Sequence, residues 1–391
     1  MKDFQFYSPT KFIFGKEAEC RAGEVLASYG AKKVMLVHYG DTAPYEGPIL
    51  DRVIASLVSS GIPYVDFSGI KPNPTAERAQ EGAELARTEK IDYLLAVGGG
   101  SVIDTAKYIA IATLYDGDVW TDYYVGNKPV AEALPIGAIN TNPGTGSESS
   151  CSSVVTHGTL KRSCNDDRIR PAFALMNPEL TYTLPAFQTA SVSVDIMAHV
   201  HERYFTRTTQ NYLTDNLCES VFRTVIKYLP VALKDPTNYN ARAQLTWASN
   251  LAHNDTVGVG RGPVDGAVHG IQSEIGGMYD SAHGAGVACV TPGWMRYVYK
   301  TDPRRFVRYF TEVWGMENDP FDPEGMILEG IERQKSFYKS VGIPVHSAEL
   351  GVRDEDIPTL ISTTRRSPNG TCGHFMELDD HDLAEIYQLI K

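Results

Sequence analysis

The stretch DYLLAVGGGSVIDTAK, residues 92–107, decides the fold that this sequence predicts. Its first six residues form a short, continuously apolar run, which is typical of a strand buried on both faces of a parallel sheet. Three glycines follow, and a helical pattern begins after them. A glycine turn of this kind can bring the free N–H groups of a helix N-terminus against a phosphate. The same pattern also fits a tight turn before a well-capped helix, so the spacing alone leaves both interpretations open.

Comparable apolar runs flank this segment on both sides. The runs KVMLVH (33–38), YVDF (64–67) and LPIGAI (134–139) predict three more buried strands. Between the first two, residues 48–61 carry apolar side chains at helical spacing. Strands that alternate with helices predict a parallel α/β domain. After about residue 186 the strand signals disappear. The helical patterns that follow lie near 211–228, 240–257, 265–278 and 323–341.

The composition excludes several classes of protein. The chain has 391 residues, of which 42% are hydrophobic and 21% charged, as expected for a globular protein. Its net charge of −12 argues against a nucleic-acid partner and against an anionic membrane surface. The N-terminal sequence has no apolar run of signal-peptide length. Six scattered cysteines without a CxxC pair favour reduced thiols, and we therefore expect a cytoplasmic protein.

Two further turns are candidates for ligand contacts. The turn HYGDTAPYEG (38–47) lacks the GxGxxG pattern, so a plain Rossmann dehydrogenase is not the best model. Its Asp41 is placed to hold an adenosine ribose diol and to repel a 2′-phosphate, although a solvated turn residue fits equally. The loop NTNPGTGSESS (140–150) is rich in glycine and small hydroxyl residues, which suits either close hydrogen bonding to a ligand or an ordinary surface turn.

One carboxylate and three histidines form a candidate metal site. Asp195 and His199 are four residues apart in a helical pattern and therefore share a helix face. His269 and His283 follow later, separated by about three helical turns and a short loop. One carboxylate and three imidazoles suit a divalent transition metal. The alternative is a surface Asp–His pair beside unrelated histidines. His201 lies two residues after His199 and points to another face, which predicts either a packing role or a supporting role behind the ligands.

Together these motifs resemble the iron-containing (group III) metal-dependent alcohol dehydrogenase family, over nearly the whole chain. Within the family, the butanol dehydrogenase and aldehyde reductase branch is the most similar, through TYTLP (181–185) and GVGRGPVD (258–265). The other motifs that carry the resemblance are SPTKFIFGKEA (8–18), KPNPT (71–75), VGGGSVIDTAK (97–107), NPGTGSE (142–148) and the two histidine-bearing segments.

The resemblance implies a fold class, a metal and a cofactor. The fold is an α/β Rossmann-like dinucleotide-binding domain over residues 1–185 and an all-α metal-binding domain over 186–391, the dehydroquinate synthase-like architecture. The implied ligands of one Fe²⁺ or Zn²⁺ ion are Asp195, His199, His269 and His283. The implied cofactor-binding residues are Asp41, Asn73, Gly98, Gly99, Ser101, Asp104, Thr141, Asn142 and Thr145, with Leu180 and Thr183 beside the nicotinamide.

The sequence departs from the family pattern in two places. The family usually carries another histidine four residues after the third ligand, where this chain has Ser273. A proton relay through that histidine is therefore not implied here. A family lysine near the cofactor is matched best by Lys161, and Arg162 competes for the same place.

The predicted function is reversible hydride transfer between NAD(H), preferred over NADP(H), and a small alcohol or aldehyde. The segment 4–14 is a candidate edge strand for a homodimer or larger homo-oligomer. One alternative is reduction of an anionic aldehyde, for which Arg261 and Arg296 are candidate partners unless they form ordinary salt bridges. Another is a lyase or cyclase of the dehydroquinate synthase type, although the metal motifs lack its expected cluster of Lys and Arg. A non-enzymatic scaffold is disfavoured by the four candidate ligands.

Overall fold

The structure, a computed structural model, describes residues 1–40, 43 and 46–391. The chain separates into two compact units. One unit is Tyr7–Leu184, and the other combines Pro185–Lys391 with Met1–Phe6. Within the described ranges, none of the helices has both the length and the apolar composition needed to cross a membrane.

The Tyr7–Leu184 unit alternates strands with helices. Its elements are β1 (Lys11–Phe14), α1 (Ala22–Ser28), β2 (Val34–His38), α2 (Gly47–Ser59), β3 (Tyr64–Phe67), α3 (Ala76–Thr88), β4 (Tyr93–Gly98), α4 (Gly100–Leu114), β5 (Ile136–Asn140), β6 (Ser152–His157), β7 (Leu160–Asn165) and β8 (Phe173–Met176). Six strands form a parallel sheet in the order β1-β8-β5-β4-β2-β3, and β6 and β7 form a separate antiparallel hairpin. The four strands predicted from apolar runs are all present.

The central strands are buried on both faces, which explains their continuous apolar runs. In β2, Val34 and Leu36 belong to one core cluster, whereas Met35 and Val37 belong to the other. Alternate side chains of a strand point to opposite faces of a sheet, so both faces must be covered. The strand order also reverses between β2 and β4, which are neighbours in the sheet. In open α/β sheets, ligands bind beyond the carboxyl ends of strands at such a reversal.

The second unit is helical over Pro185–Lys391, all of which is described. Its helices are α5 (Ala186–Tyr204), α6 (Tyr212–Lys234), α7 (Tyr239–His253), α8 (Ala267–Tyr279), α9 (His283–Val298), α10 (Pro303–Trp314), α11 (Pro323–Ser340), α12 (Ile357–Thr363) and α13 (Asp380–Leu389). They share one large apolar core that includes Trp294, Phe306 and Tyr338. The predicted fold class, a Rossmann-like α/β domain followed by an all-α domain, is confirmed.

Candidate metal centre and nucleotide-binding loops

The four candidate metal ligands lie together in the helical unit. Asp195 and His199 are on α5, His269 is on α8, and His283 is the first residue of α9. One potential ligand atom from each of the four residues lies within 4.8 Å of the others. The nearest pair is His283 Nε2 and Asp195 Oδ1 at 3.3 Å. The structure therefore brings together the four residues that were separated by up to 88 positions in the sequence.

Glycine allows this convergence at the start of α9. A Cβ atom at Gly284 would lie only 1.8 Å from the carbonyl oxygen of Ser191 on α5. The backbones of α5 and α9 therefore approach each other as closely as they can, immediately beside His283. This contact places His283 next to Asp195, which is one helical turn after Ser191.

Among the residues that the structure describes, the polar atoms at the centre of the cluster have no hydrogen-bond partners. Asp195 Oδ1, His199 Nε2 and His269 Nε2 are all buried and unbonded. The distances from Asp195 to the nearest nitrogens of His199 and His269 are both 3.7 Å, which is too long for a hydrogen bond. Leaving such atoms buried and unsatisfied costs free energy, so a cluster of them indicates a site built for a bound ion. The donor set fits a divalent transition metal.

Electrostatics favour the ligand form of the carboxylate. Burial opposes ionisation of Asp195, but the neighbouring His283 and His199 hold the pKa of this carboxyl well below its usual value. Burial lowers the pKa of His199 well below its usual value, which keeps this imidazole neutral. A carboxylate anion and a neutral imidazole are the forms that coordinate a metal.

A second carboxylate orients one of the imidazoles. Glu202 Oε2 lies 2.8 Å from His269 Nδ1, and Glu202 Oε1 accepts the backbone N–H of His269 at 3.0 Å. Burial opposes protonation of His269, yet Glu202 and Asp195 outweigh it and raise the pKa of the imidazole to about 10, so a metal ion that binds here must displace a proton from this ring. A carboxylate on the far nitrogen fixes the orientation of a metal-binding imidazole. The sequence analysis missed Glu202, although its position seven residues after Asp195 places it on the same helix face.

The glycine turn after β4 is closely surrounded by the residues predicted to bind a cofactor. Gly98 ends β4 with a φ of 157°, and Gly99 precedes the first residue of α4. A Cβ atom at Gly99 would lie 2.9 Å from Asn142 Cβ, and one at Gly100 would lie 2.6 Å from Thr145 Oγ1. The register of β4 and β5, which pairs Gly98 with Asn140, brings the two loops side by side.

The surroundings of this turn fit a phosphate-bearing cofactor. Ser101 lies in the first turn of α4, whose leading N–H groups have no helical partners. Asn142 Oδ1 is buried beside Gly99 and has no hydrogen-bond partner in the part of the chain that the structure describes. The three glycines add no side chains of their own to this surface, so a pyrophosphate can approach the backbone N–H groups. The hydroxyl of Tyr39, at the end of β2, would lie 3.1 Å from a Cβ atom on Gly99. Tyr39 was not predicted as a site residue.

Three other predicted cofactor residues have internal partners. Lys161 Nζ donates to Asn73 Oδ1 at 2.9 Å, so these two residues meet although they are 88 positions apart. Asp104 is partly buried, accepts the hydroxyl of Ser147, and accepts the backbone N–H of Val154 at 2.9 Å. Asp104 therefore anchors the loop of residues 140–150 through Ser147 and does not present a free carboxylate.

Hydrogen bonds made by Lys107 and Thr141 hold the loop of residues 140–150 in place. Lys107 is fully buried, and its Nζ donates to Ser147 Oγ at 2.9 Å and to the carbonyl oxygen of Ser152 at 2.6 Å. Thr141 donates its hydroxyl to Glu46 and its backbone N–H to the Gly98 carbonyl at 3.1 Å. The other carboxylate oxygen of Glu46 is buried and has no partner among the described residues. Burial raises the pKa of Glu46 to about 7. The sequence analysis missed Glu46.

The remaining predicted site residues are not brought to the turn by the contacts that the structure describes. Leu180 is buried in an apolar core cluster, and Thr183 is exposed. Asp41 lies outside the described residues. Their assignment to the cofactor continues to rest on the family resemblance.

The two arginines considered for an anionic substrate have other partners. Arg261 is buried, donates to Asp215 Oδ1, and donates to the Tyr204 carbonyl at 3.2 Å. Arg296 lies at the surface, with its guanidinium 3.5 Å from Glu332 Oε1. Both arginines therefore form ordinary salt bridges, which was the alternative to binding an anionic substrate. His201 packs among aromatic rings and lies 2.7 Å from the Tyr309 hydroxyl, as its predicted packing role requires.

A parallel sheet with a glycine turn at its strand reversal, and helices that present a carboxylate and three imidazoles, define a class of metal- and dinucleotide-linked oxidoreductases. Comparison with known proteins gives the family. The model of iron-containing alcohol dehydrogenases matches residues 9–178, and that of the family's C-terminal part matches residues 189–390. The chain belongs to the iron-containing alcohol dehydrogenase family.

Individual relatives agree with this membership. The chain is 34% identical over 391 residues to NADH-dependent butanol dehydrogenase A of Clostridium acetobutylicum, covering 99% of each chain. It is 33% identical to the NADPH-dependent aldehyde reductase YqhD of Escherichia coli, covering 92% of each. The crystal structure of NADH-dependent butanol dehydrogenase A from Thermotoga maritima superposes with a TM-score of 0.95 at 35% identity, covering 100% of this chain and 98% of that one. The predicted class of enzyme, an NAD(P)-linked alcohol dehydrogenase, is confirmed.

Proposed function

We propose that this protein transfers a hydride reversibly between NAD(H) and a small, uncharged alcohol or aldehyde, with the help of one divalent metal ion. The convergence of Asp195, His199, His269 and His283, with buried and unbonded atoms at its centre, is the observation that carries this proposal. Relatives named as butanol dehydrogenases and aldehyde reductases support the same reaction class.

The four residues would hold Fe²⁺ or Zn²⁺, since nitrogen and oxygen ligands accept both ions. When bound, such an ion supplies Lewis-acid polarisation of a carbonyl or alcohol oxygen. The protein's own residues provide the rest of the site. Glu202 keeps the Nε2 atom of His269 directed at the cluster, and Asp195 contributes the negative charge that retains a cation.

The loops after β4 and β5 would hold the cofactor. The N–H groups at the start of α4 suit the pyrophosphate, while Asn142 and Thr145 line the adjoining surface. The Asn73–Lys161 pair supplies a positive charge in the same unit. A bound nicotinamide supplies the hydride chemistry, and the protein positions it. The choice of NAD(H) over NADP(H) rests on Asp41, because a carboxylate repels a 2′-phosphate.

The substrate is proposed to be uncharged because Arg261 and Arg296 already pair with Asp215 and Glu332. This removes the specific support for a carboxylate- or sulfonate-bearing aldehyde. The relatives likewise do not favour a lyase or cyclase. We further propose a homo-oligomeric protein of the cytoplasm, which is consistent with six cysteines that form no disulfide among the described residues.

The test is NADH oxidation with a panel of neutral and anionic aldehydes, with bound metal measured in parallel. His269→Ala or His283→Ala should abolish turnover and lower the metal content, because each removes one of four ligands. Gly99→Ala is the matched control, because its added methyl crowds Asn142 within the Tyr7–Leu184 unit, whereas the four metal ligands belong to the helical unit. That variant should lose NADH affinity but keep its metal. Full activity and undiminished metal in both histidine variants would overturn the ligand assignment.

A further inference from the structure

His253 lies against the metal cluster without belonging to it. It is the last residue of α7, and its ring stacks on that of His199 with centroids 4.3 Å apart and planes inclined by 16°. The ring of His199 also stacks on that of His269, at 4.5 Å and 21°. His199 is therefore held between two nearly parallel imidazoles. From the sequence alone we expect an ordinary structural role for His253, although of the histidines outside the candidate ligands it is the one that could approach the ligand site.

We propose that His253 is a positioning residue for the metal and acts by fixing the ring orientation of His199. The torsion that turns an imidazole about its Cβ–Cγ bond is broad, so the bond itself does not fix the ring plane. A flat group on each face fixes the plane of the His199 ring, because any rotation of the ring would then drive its edge into a neighbour. The Nε2 atom of His199 must keep its direction for the cluster to remain within 4.8 Å.

The two neighbours of His199 are secured in different ways. His269 is held by Glu202, whose carboxylate lies 2.8 Å from its Nδ1 atom. His253 is carried by α7, which packs against α5 along several turns. Removing His253 would leave one face of His199 without its aromatic cover. Water could then reach His199, which is only 7% exposed in the structure.

The role inferred from stacking depends on ring shape and not on the ring nitrogens. Phenylalanine has a flat ring of similar size, so His253→Phe should preserve the effect, whereas His253→Ala should remove it. The inference rests on the proposed metal site. His269→Ala therefore accompanies the two variants as the reference for loss of a direct ligand.

The experiment measures metal affinity directly. Purified protein is stripped of metal and titrated with Co²⁺ and Zn²⁺ against a chelator of known affinity, and the visible spectrum of bound Co²⁺ reports the ligand geometry. We expect His253→Ala to bind about tenfold more weakly, the lower end of what loss of an orienting residue costs a metal site. His253→Phe should remain within about threefold of the wild type on the same basis. Gln244→Ala, an exposed change on the same helix, is the control.

The outcomes separate the possibilities. Wild-type affinity and an unchanged Co²⁺ spectrum in His253→Ala would overturn the positioning role. A His253→Phe variant as weak as His253→Ala, with both folded by circular dichroism, would also overturn it and show that a ring nitrogen is needed. If neither the wild type nor His269→Ala takes up Co²⁺ or Zn²⁺, the proposed metal site itself is wrong.

Discussion

Replacing Glu46 with glutamine should change the way in which stability depends on pH. The Glu46 carboxyl is buried at the start of α2 and accepts the hydroxyl of Thr141. Burial raises its pKa from 4.5 to about 7, although the hydrogen bond from Thr141 opposes the rise. The folded protein therefore keeps a proton on Glu46 over a pH range in which the unfolded chain has released it.

The sign and size of the effect follow from this difference. A group whose pKa is raised by folding stabilises the folded state fully below its unfolded pKa, and this stabilisation is lost as the pH rises through the folded pKa. A rise from 4.5 to about 7 corresponds to roughly 3 kcal/mol at about 1.4 kcal/mol per unit. Glutamine has no proton to release. The stability of Glu46→Gln relative to the wild type should therefore increase by roughly this amount between about pH 5 and pH 8.

Urea unfolding of both proteins across this pH range measures the change. The quantity to compare is the difference between their free energies of unfolding, not either value alone. Thr141→Val is a useful companion because it removes the hydrogen bond that favours the charged carboxylate. In Thr141→Val the pH dependence of the free energy of unfolding should persist but extend to higher pH, because loss of the hydrogen bond raises the pKa of Glu46 further. If the wild-type and Glu46→Gln curves run parallel throughout, Glu46 does not titrate as its burial requires.

Three other predictions concern packing, coenzyme and assembly. Gly284→Ala should lower the melting temperature and the metal content, since its methyl would lie 1.8 Å from the Ser191 carbonyl. The control is Gly47→Ala, whose methyl meets nothing within 4 Å among the described residues, and equal metal content in both variants would contradict the close packing. The ratio of kcat/KM should favour NADH over NADPH by about tenfold or more, which is roughly 1.4 kcal/mol, and Asp41→Gly should erode it by improving use of NADPH. An unchanged ratio would count against this role. Light scattering should find a homodimer or larger assembly through the β1 edge, and a monomer at micromolar concentrations would refute it.

Local patterns predicted most of the first unit, because its strands are buried on both faces. A run such as LLAV, residues 94–97, has no polar position to confuse the periodicity. The hairpin β6–β7 was missed for the opposite reason. Its strand Leu160–Asn165 is half-buried and carries Lys161, Arg162 and Ser163, so it lacks an apolar run. Its turn at Gly158, with a φ of 61°, was the available signal.

The sequence predicted the four candidate metal ligands but not the residues that position them. Asp195 and His199 share a helix face, which sequence spacing can show, whereas the approach of His269 and His283 needed the family resemblance. Glu202 could have been found from its seven-residue spacing on α5. The stacking of His253 depends on how α7 packs against α5, and no local pattern encodes that.

The buried Lys107 has a consequence for the way in which a cofactor is received. Its ammonium group joins the helix that follows the glycine turn to the backbone and hydroxyls of the neighbouring loop through Ser147, Ser150 and Ser152. Burial lowers the pKa of Lys107 to about 8, because it disfavours the charged form. The oxygens that accept hydrogen bonds from the ammonium group therefore stabilise its charge. The two loops are thereby preorganised as one rigid surface. Less conformational entropy remains to be lost when a dinucleotide arrives, so more of the contact energy is expressed as affinity.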